Sequence, residues 1–270
     1  MAERGTVRPP SRVLVAVDTA TPNAPALQAG AGLAAALGAR LEALFVENAD
    51  LVHLGGLPFA SEISALTGAW HELAVDEIER ALRLEAARIE RLVANVAEQA
   101  RVPWSFDRAR GRLVAQAVAR EAELTILGVA DRAIDVARRM AAPRRAQPAL
   151  RSLAVLFDAS PASHHALEIT GQLAEALGSE LRVLIPSAAA APNATIRDRA
   201  EAWLAARGRA GLALPVDSGE GSLANALRFT RSDLLVHGVA DLGQSLRSLI
   251  ALVAQVSCPV LVVRAARAAA

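Results

Sequence analysis

The stretch RVLVAVDTA, residues 12–20, returns as SLAVLFDAS at residues 152–160, which superposes Asp18 on Asp158. At the same offset the stretch LAAALGARLEALFV recurs as LAEALGSELRVLIP. Self-similarity at a fixed spacing is the mark of a duplicated structural unit, and it has to be recognised before individual elements are assigned. We therefore expect two copies of one unit in this chain of 270 residues.

A third pair of segments fixes the limits of the two copies. The stretch RGRLVAQAVAREAELTILGVAD matches EGSLANALRFTRSDLLVHGVAD, with Gly128 over Gly238. The offset is now smaller, so the first copy carries extra residues between its second and third strands. The predicted organisation is a flexible N-terminus at 1–11, a first unit at 12–141 with a helical insertion at 48–102, a linker at 142–151, a second unit at 152–264 and a tail at 265–270.

Within each copy, strands and helices alternate. The runs VLVAV and LAVLF are short and almost continuously apolar, which is typical of strands covered on both faces of a parallel sheet. Ser160 and Pro161 form a helix start, and Gly38 and Gly178 form helix ends. The pattern predicts an α/β fold of two tandem, doubly wound, Rossmann-like parallel-sheet domains. The first lacks a counterpart of the fifth strand at 259–264, and we expect the other half to cover that edge.

The insertion in the first copy contains one long amphipathic helix. Val75, Leu82, Ile89 and Val96 recur at seven-residue spacing, with charged residues between them. An apolar stripe of this kind is the ordinary signature of a surface helix. We expect the helix to pack on its own sheet, and recognition of a partner is the less favoured interpretation.

The composition excludes several classes of function. The 29 basic residues are all arginine and the 28 acidic residues balance them to a net charge of +1, which gives no general field for nucleic acid or an anionic membrane. Without lysine there is no Schiff-base chemistry and no lysine-dependent phosphate loop. One cysteine, Cys258, and scattered histidines predict neither a disulfide nor a metal site. The sequence has no long apolar segment, and we expect a soluble, cytoplasmic protein without membrane insertion.

From Arg12 to Arg264 the chain resembles the universal stress protein superfamily in its tandem two-domain form. The resemblance rests on the strands VLVAVD and LAVLFD, the LAxALGxxL passages and the closing SCPVLVVR. It implies five-stranded parallel sheets and pairing of two such domains. In one subgroup it also implies binding of ATP through a loop of the form G-x-x-G followed, after a spacer, by G-[ST]. Other members bind no nucleotide and act through protein contacts.

Neither copy keeps that phosphate loop. Glycines let backbone amides approach a phosphate, but Asp241 stands where the second glycine belongs. The interval from Gly238 to the place of the closing G-[ST] is also shorter than the resemblance implies. A carboxylate about 4 Å from a phosphate in a partly desolvated cleft costs a few kcal/mol. In the first copy Asp131 takes the same place and Arg132 is the only comparable cation. We therefore predict no bound cofactor, with ATP as the alternative.

Each candidate ligand contact has a structural interpretation beside the functional one. Asp18 and Asp158 either contact a nucleoside or have a structural role, in which they cap a helix or hold the strand-to-helix turn, and the structural role is favoured. The glycines Gly128, Gly238 and Gly243 either form an anion-binding nest or serve turns, and turns are favoured. Ser245 and Arg247 could contact a phosphate in place of the lost amides. These seven residues are the predicted cofactor-binding set only if nucleotide binds.

The sequence favours a non-enzymatic regulatory or interaction module in a stress response, since it has no recognisable catalytic constellation. Two alternatives stay open: an adenine-nucleotide sensor or slow ATPase with its site in the second copy, and, with less support, a cytoplasmic adaptor of a membrane transporter. The two halves are expected to pair within the chain, the homodimeric state is left open, and the partner protein is unknown.

Overall fold

The structure is a computed structural model. It describes residues 11–19, 23–50, 53, 61–63, 70–72, 75–129, 150–187, 193–208, 211–217, 219 and 221–265. The predicted N-terminus, almost all of the predicted linker and tail, and the residues Asp131 and Arg132 lie outside this part of the chain.

The two copies form strands and helices in the predicted alternation. The first half contains β1 (Arg12–Asp18), α1 (Asn23–Leu37), β2 (Arg40–Asn48), β3 (Ser61–Ile63), β4 (Trp70–Glu72), α2 (Val75–Ala100), β5 (Trp104–Gly111), α3 (Leu113–Val118) and β6 (Leu124–Leu127). The second half contains β7 (Ser152–Leu156), α4 (Pro161–Leu177), β8 (Glu180–Pro186), α5 (Asn193–Ala205), β9 (Leu212–Val216), α6 (Ser222–Phe229), β10 (Leu234–Val239), α7 (Leu246–Gln255) and β11 (Val260–Arg264).

Nine of these strands make one continuous sheet in the order β5-β2-β1-β6-β11-β10-β7-β8-β9, and β3 and β4 pair separately. Neighbours within each half are parallel, and β11 joins β6 in antiparallel register, with Val260 opposite Leu127 and Val263 opposite Leu124. Within its described residues the first half contributes four strands to this sheet and has no counterpart of β11. Its place beside β6 is taken by β11 of the second half, so the predicted fold class is confirmed and the halves are joined through one sheet.

Helices cover the sheet on both faces and bury a separate apolar core on each. On one face Phe45 and Phe157 pack among residues of α1, α2, α4 and α5, and on the other Leu14 and Leu235 pack among residues of α3, α6 and α7. Successive residues of a strand point to opposite faces of the sheet, so a strand that is covered on both faces is apolar along its length.

The sequence signals for individual helices are confirmed. In α2 the residues Leu82, Ile89 and Val96 are buried, and the helix packs against α1 and its own sheet. The side chain of Ser160 accepts a hydrogen bond from the amide of Ser163 at the start of α4. This helix ends at Gly178, whose φ of 65° lies in the left-handed region that favours glycine.

Candidate functional site

The carboxyl ends of β7 and β10 lie side by side, with His237 opposite Leu156. The chain leaves β7 for α4 on one face of the sheet and leaves β10 for α7 on the other face. Ligands of open α/β sheets bind outside the strands' carboxyl ends at such a switch point. Asp158 and His237 therefore stand where a ligand of this fold would be expected.

The turn after β7 uses the carboxylate of Asp158. Its Oδ1 accepts the backbone amide of Ser160 at 2.9 Å, and its own amide donates to Oγ of Ser163 at 3.4 Å. Burial by itself would raise the pKa of Asp158, but the hydrogen bonds from Ser160 and Ser163 outweigh it, and the pKa lies below its ordinary value. Asp158 is thus an ionised group whose carboxylate holds the strand-to-helix turn together.

His237 is a feature of this site that the sequence did not single out. Burial lowers its pKa, and the negative charge of Asp158 acts in the opposite direction without cancelling the effect. Because the ordinary pKa of 6.5 is already below neutrality, the imidazole is mostly neutral at pH 7. The switch point therefore carries one negative charge from Asp158 and no compensating positive charge from this histidine.

Gly238 lies inside β10, paired with Val263. A Cβ atom at this position would lie 2.2 Å from the carbonyl oxygen of Ala162 and 3.0 Å from Cβ of Ala166. Only a residue without a side chain lets α4 approach the strand this closely. The glycine is thus required by packing, and the backbone of α4 covers the side of the strand on which its side chain would point.

The turn between β10 and α7 is closed by Asp241. Oδ1 of Asp241 accepts the amide of Gln244 at 3.0 Å, and the carbonyl of Asp241 accepts the amide of Ser245 at 3.1 Å. A Cβ atom on Gly243 would lie 3.3 Å from the same Oδ1. The amide of Gln244, which could have pointed at a phosphate, is therefore satisfied by a carboxylate of the protein itself.

The two remaining candidates of the second half lie at the start of α7. Ser245 precedes the helix without making a side-chain cap bond, and its carbonyl accepts the hydroxyl of Ser248 at 2.8 Å. Arg247 is exposed and forms no ion pair with any described residue. Both residues follow the Asp241 turn directly in the chain.

In the first half, Asp18 ends β1 and Gly128 follows β6, and these strands are neighbours in the sheet. The amide of Gly128 donates to the carbonyl of Ala16 at 2.9 Å, which extends the β1–β6 ladder by one bond. Residues 130–149 lie outside the described part of the chain, so the site of this half is described only at its strand ends.

An ion-pair cluster around the buried Glu47 of the first half was also not predicted from the sequence. Glu47 is 6% exposed, and its carboxylate accepts hydrogen bonds from Arg108 Nε at 3.1 Å and Arg110 Nη2 at 3.3 Å. Burial alone would raise the pKa of Glu47, but the two guanidinium groups hold the pKa below its ordinary value. Arg110 also reaches Glu79 of α2 at 3.7 Å, so the cluster ties the inserted helix to the edge of the sheet.

The described residues contain no group of three or more histidine, cysteine, aspartate or glutamate side chains that could hold a metal ion. Among the described helices none has the length and apolar character needed to span a bilayer. Cys258 is buried at the entry to β11.

Comparison with solved structures identifies the class of fold. A universal stress protein from Archaeoglobus fulgidus is similar over 94% of this chain and 96% of its own, with a TM-score of 0.56 and 13% sequence identity. The match spans both halves, so this chain has the fold of a tandem universal stress protein, and the resemblance read from its sequence is confirmed at that level. Identity this low says nothing further about activity.

Other solved structures match with TM-scores below 0.5, and two of them show the range of the similarity. A protein of the universal stress protein family from Burkholderia pseudomallei is 22% identical, covers 44% of this chain with 100% of its own and has a TM-score of 0.34. The cytoplasmic domain of a prokaryotic cation chloride cotransporter is 10% identical, covers 94% of this chain with 95% of its own and has a TM-score of 0.40. The sequence matches no protein-family model and no curated protein.

Proposed function

We propose that this chain is a non-enzymatic regulatory module of the universal stress protein type, which acts in the cytoplasm through contacts with other proteins and binds no ATP. The observation that carries the proposal is the carboxylate of Asp241, which accepts the Gln244 amide at 3.0 Å inside the turn that follows β10. A carboxylate inside the loop occupies one of its amides and lowers the positive potential that a triphosphate needs.

Two further features of the switch point support the same conclusion. The close approach of α4 to Gly238 explains this glycine without a ligand. Asp158 contributes a negative charge, and His237 does not compensate it because burial keeps the imidazole neutral. Like charges in a partly buried cleft repel more strongly than they do in water.

The direct test is the nucleotide content of the protein purified from cells. The protein is heat-denatured and the supernatant is separated by ion-exchange chromatography, and we expect less than about a tenth of an equivalent of adenine nucleotide per chain, as weak binding would leave after purification. Recovery of about one equivalent would refute the proposal.

The alternative is an adenine-nucleotide sensor or slow ATPase in which Asp158, Gly238, Gly243, Ser245 and Arg247 contact the ligand. What favours it is the exposed Arg247 in the first turn of α7, which has no ion-pair partner among the described residues. Titration with a fluorescent ATP analogue separates the two functions. If Arg247→Ala abolishes binding that the native chain shows, the alternative holds. If only Asp241→Gly binds the analogue, the native loop is blocked by its own carboxylate.

A further inference from the structure

An opening in the second half lies at the amino ends of β7, β8 and β9, opposite to the switch point. It is a groove of about 730 Å³, bounded by the carboxyl-terminal ends of α4 and α6. The lining includes the arginines Arg151, Arg182 and Arg231 and the exposed apolar residues Leu212 and Phe229. We call this opening the arginine groove.

The same place in the first half is closed by ion-paired side chains. The guanidinium of Arg12 pairs with Glu42 at 3.0 Å and donates to the carbonyl of Arg120 at 2.7 Å. The side chain of Arg120 in turn pairs with Asp107 of the edge strand at 2.6 Å. Two long side chains therefore occupy the amino end of the first half, and each guanidinium group is paired with its own carboxylate.

The internal repeat shows what opened the groove in the second half. By the repeat alignment, Ser152 takes the place of Arg12 and Thr230 takes the place of Arg120. The hydroxyl of Ser152 donates to the carbonyl of Thr230 at 3.4 Å, the counterpart of the contact that Arg12 makes in the first half. The backbone arrangement is thus kept while the two side chains that fill the space are removed.

Changes at the rim make the groove more positive than its counterpart. Arg151 aligns with Ser11, and Arg231 aligns with Glu121. The backbone at 121 and 231 is left-handed in both halves, with φ of 49° and 51°, so the replacement changes charge on an unchanged backbone. Neither Arg151 nor Arg231 forms an ion pair with a described residue.

The acidic residues of the groove are already occupied. Oδ2 of Asp233 accepts the amides of Arg151 and Ser152 at 2.8 and 3.1 Å, which fixes the start of β7. Glu180 is paired with Arg182. Two guanidinium groups are therefore left to pair with carboxylates supplied from outside, in the planar geometry that arginine favours.

An apolar contact surface lies beside these arginines. Phe229 is 78% exposed and aligns with Ala119 of the first half, and Leu212 at the start of the edge strand is 43% exposed. An isolated exposed apolar residue needs no explanation, but an aromatic residue beside unpaired arginines is the composition of a protein interface core.

We propose that the arginine groove docks an acidic segment of a partner protein, whose carboxylates pair with Arg151 and Arg231 and whose apolar side chain covers Phe229 and Leu212. The inference rests on the proposed function and gives it a class of partner. A free anion would leave the apolar residues exposed, and a net charge of +1 gives no general field for a nucleic acid.

The experiment measures fluorescence anisotropy of labelled peptides of about 12 residues, enough to span an extended groove, in which aspartate and glutamate flank one leucine or phenylalanine. A matched set carries asparagine and glutamine instead. The variant Arg151→Ser, Phe229→Ala and Arg231→Glu installs the residues of the first half, which the same backbone already accommodates. The control variant, Arg80→Gln with Leu84→Ala, removes an exposed arginine and an exposed leucine from α2. Circular dichroism and urea unfolding check that both variants are folded.

We expect the acidic peptides to bind, the amide set to bind at least about tenfold more weakly, and the triple variant to lose at least about tenfold in affinity while the control variant does not. Absence of binding by every acidic peptide overturns the proposal. The proposal is also overturned if tripolyphosphate competes with the peptides and Phe229→Ala does not change their affinity, because that result would define a small-anion site. Nucleotide content is measured on the same preparation. If the peptides bind and the protein also holds nucleotide, only the proposed function is refuted. If the protein holds no nucleotide and no peptide binds, only the groove proposal is refuted.

Discussion

Replacing Gly238 by alanine is the sharpest test of what this glycine does. The new Cβ atom would lie 2.2 Å from the carbonyl oxygen of Ala162 and 2.5 Å from its carbonyl carbon. Ordinary contacts begin at 3.4 Å, so the first turn of α4 would have to retreat by more than 1 Å from the sheet. The clash is with backbone, which cannot rotate away as a side chain would. We expect Gly238→Ala to lower the free energy of unfolding by about 2–3 kcal/mol, the upper range for overpacked cores.

The matched control is the same chemical change at Gly32 in α1. A Cβ atom there would have no neighbour within 4 Å, and the residue is inside a helix. Gly32→Ala should therefore raise the free energy of unfolding by about 0.5–1 kcal/mol. Urea unfolding of both variants, followed by circular dichroism and by tryptophan fluorescence, measures the difference. A Gly238→Ala protein as stable as the native chain would refute the packing argument and reopen a ligand role for this glycine.

Two pH-dependent predictions follow from the titrating groups. The folded-state pKa of Glu47 is depressed, so its contribution to stability is present above its ordinary pKa of 4.5 and is lost as the pH falls through the folded value. Glu47→Gln should cost about 1–2 kcal/mol at neutral pH and should flatten the acid limb of a urea-midpoint profile, and an unchanged acid limb would contradict the ion-pair assignment. His237 has a lowered folded-state pKa, so stability should fall as the pH drops below 6.5 until the folded value is passed. NMR titration of the imidazole should give a midpoint below 6.5, and a midpoint above it would contradict the burial of this ring.

The duplicated sequence predicted the architecture because the relevant signals are local. Strand patterns, the Ser160 cap, the terminal Gly178 and the seven-residue stripe of α2 each depend on residues close together in the chain. The uncovered edge of the first half was predicted as well. The sequence did not specify that β11 would fill it in antiparallel register, because the direction of a strand contributed by another unit leaves no local pattern.

The candidate site was less predictable from the sequence because it depends on strand register and on how closely a helix approaches the sheet. Glu47 meets Arg108 only because β2 pairs with β5 across an insertion, with residues separated by 61 positions. The role of Gly238 depends on how closely α4 crosses the sheet, which no sequence pattern encodes. The charge of Asp241 was evident from the sequence, but its bond to the amide of Gln244 required the geometry of the turn.

The carboxyl and amino ends of the second half differ in opposite ways in what they offer to a ligand. At the carboxyl end, Asp241 supplies an acceptor that satisfies the turn from within, which leaves less for a ligand to do. At the amino end, Ser152 and Thr230 stand where the first half has two ion-paired arginines, and the space is left open between Arg151 and Arg231. Packing alone does not account for the arginines Arg151 and Arg231 and the exposed Phe229, since the backbone contact between Ser152 and Thr230 is preserved without them. The loss of small-ligand features at one end and the exposure of a charged and apolar surface at the other both favour a function exerted through a protein partner.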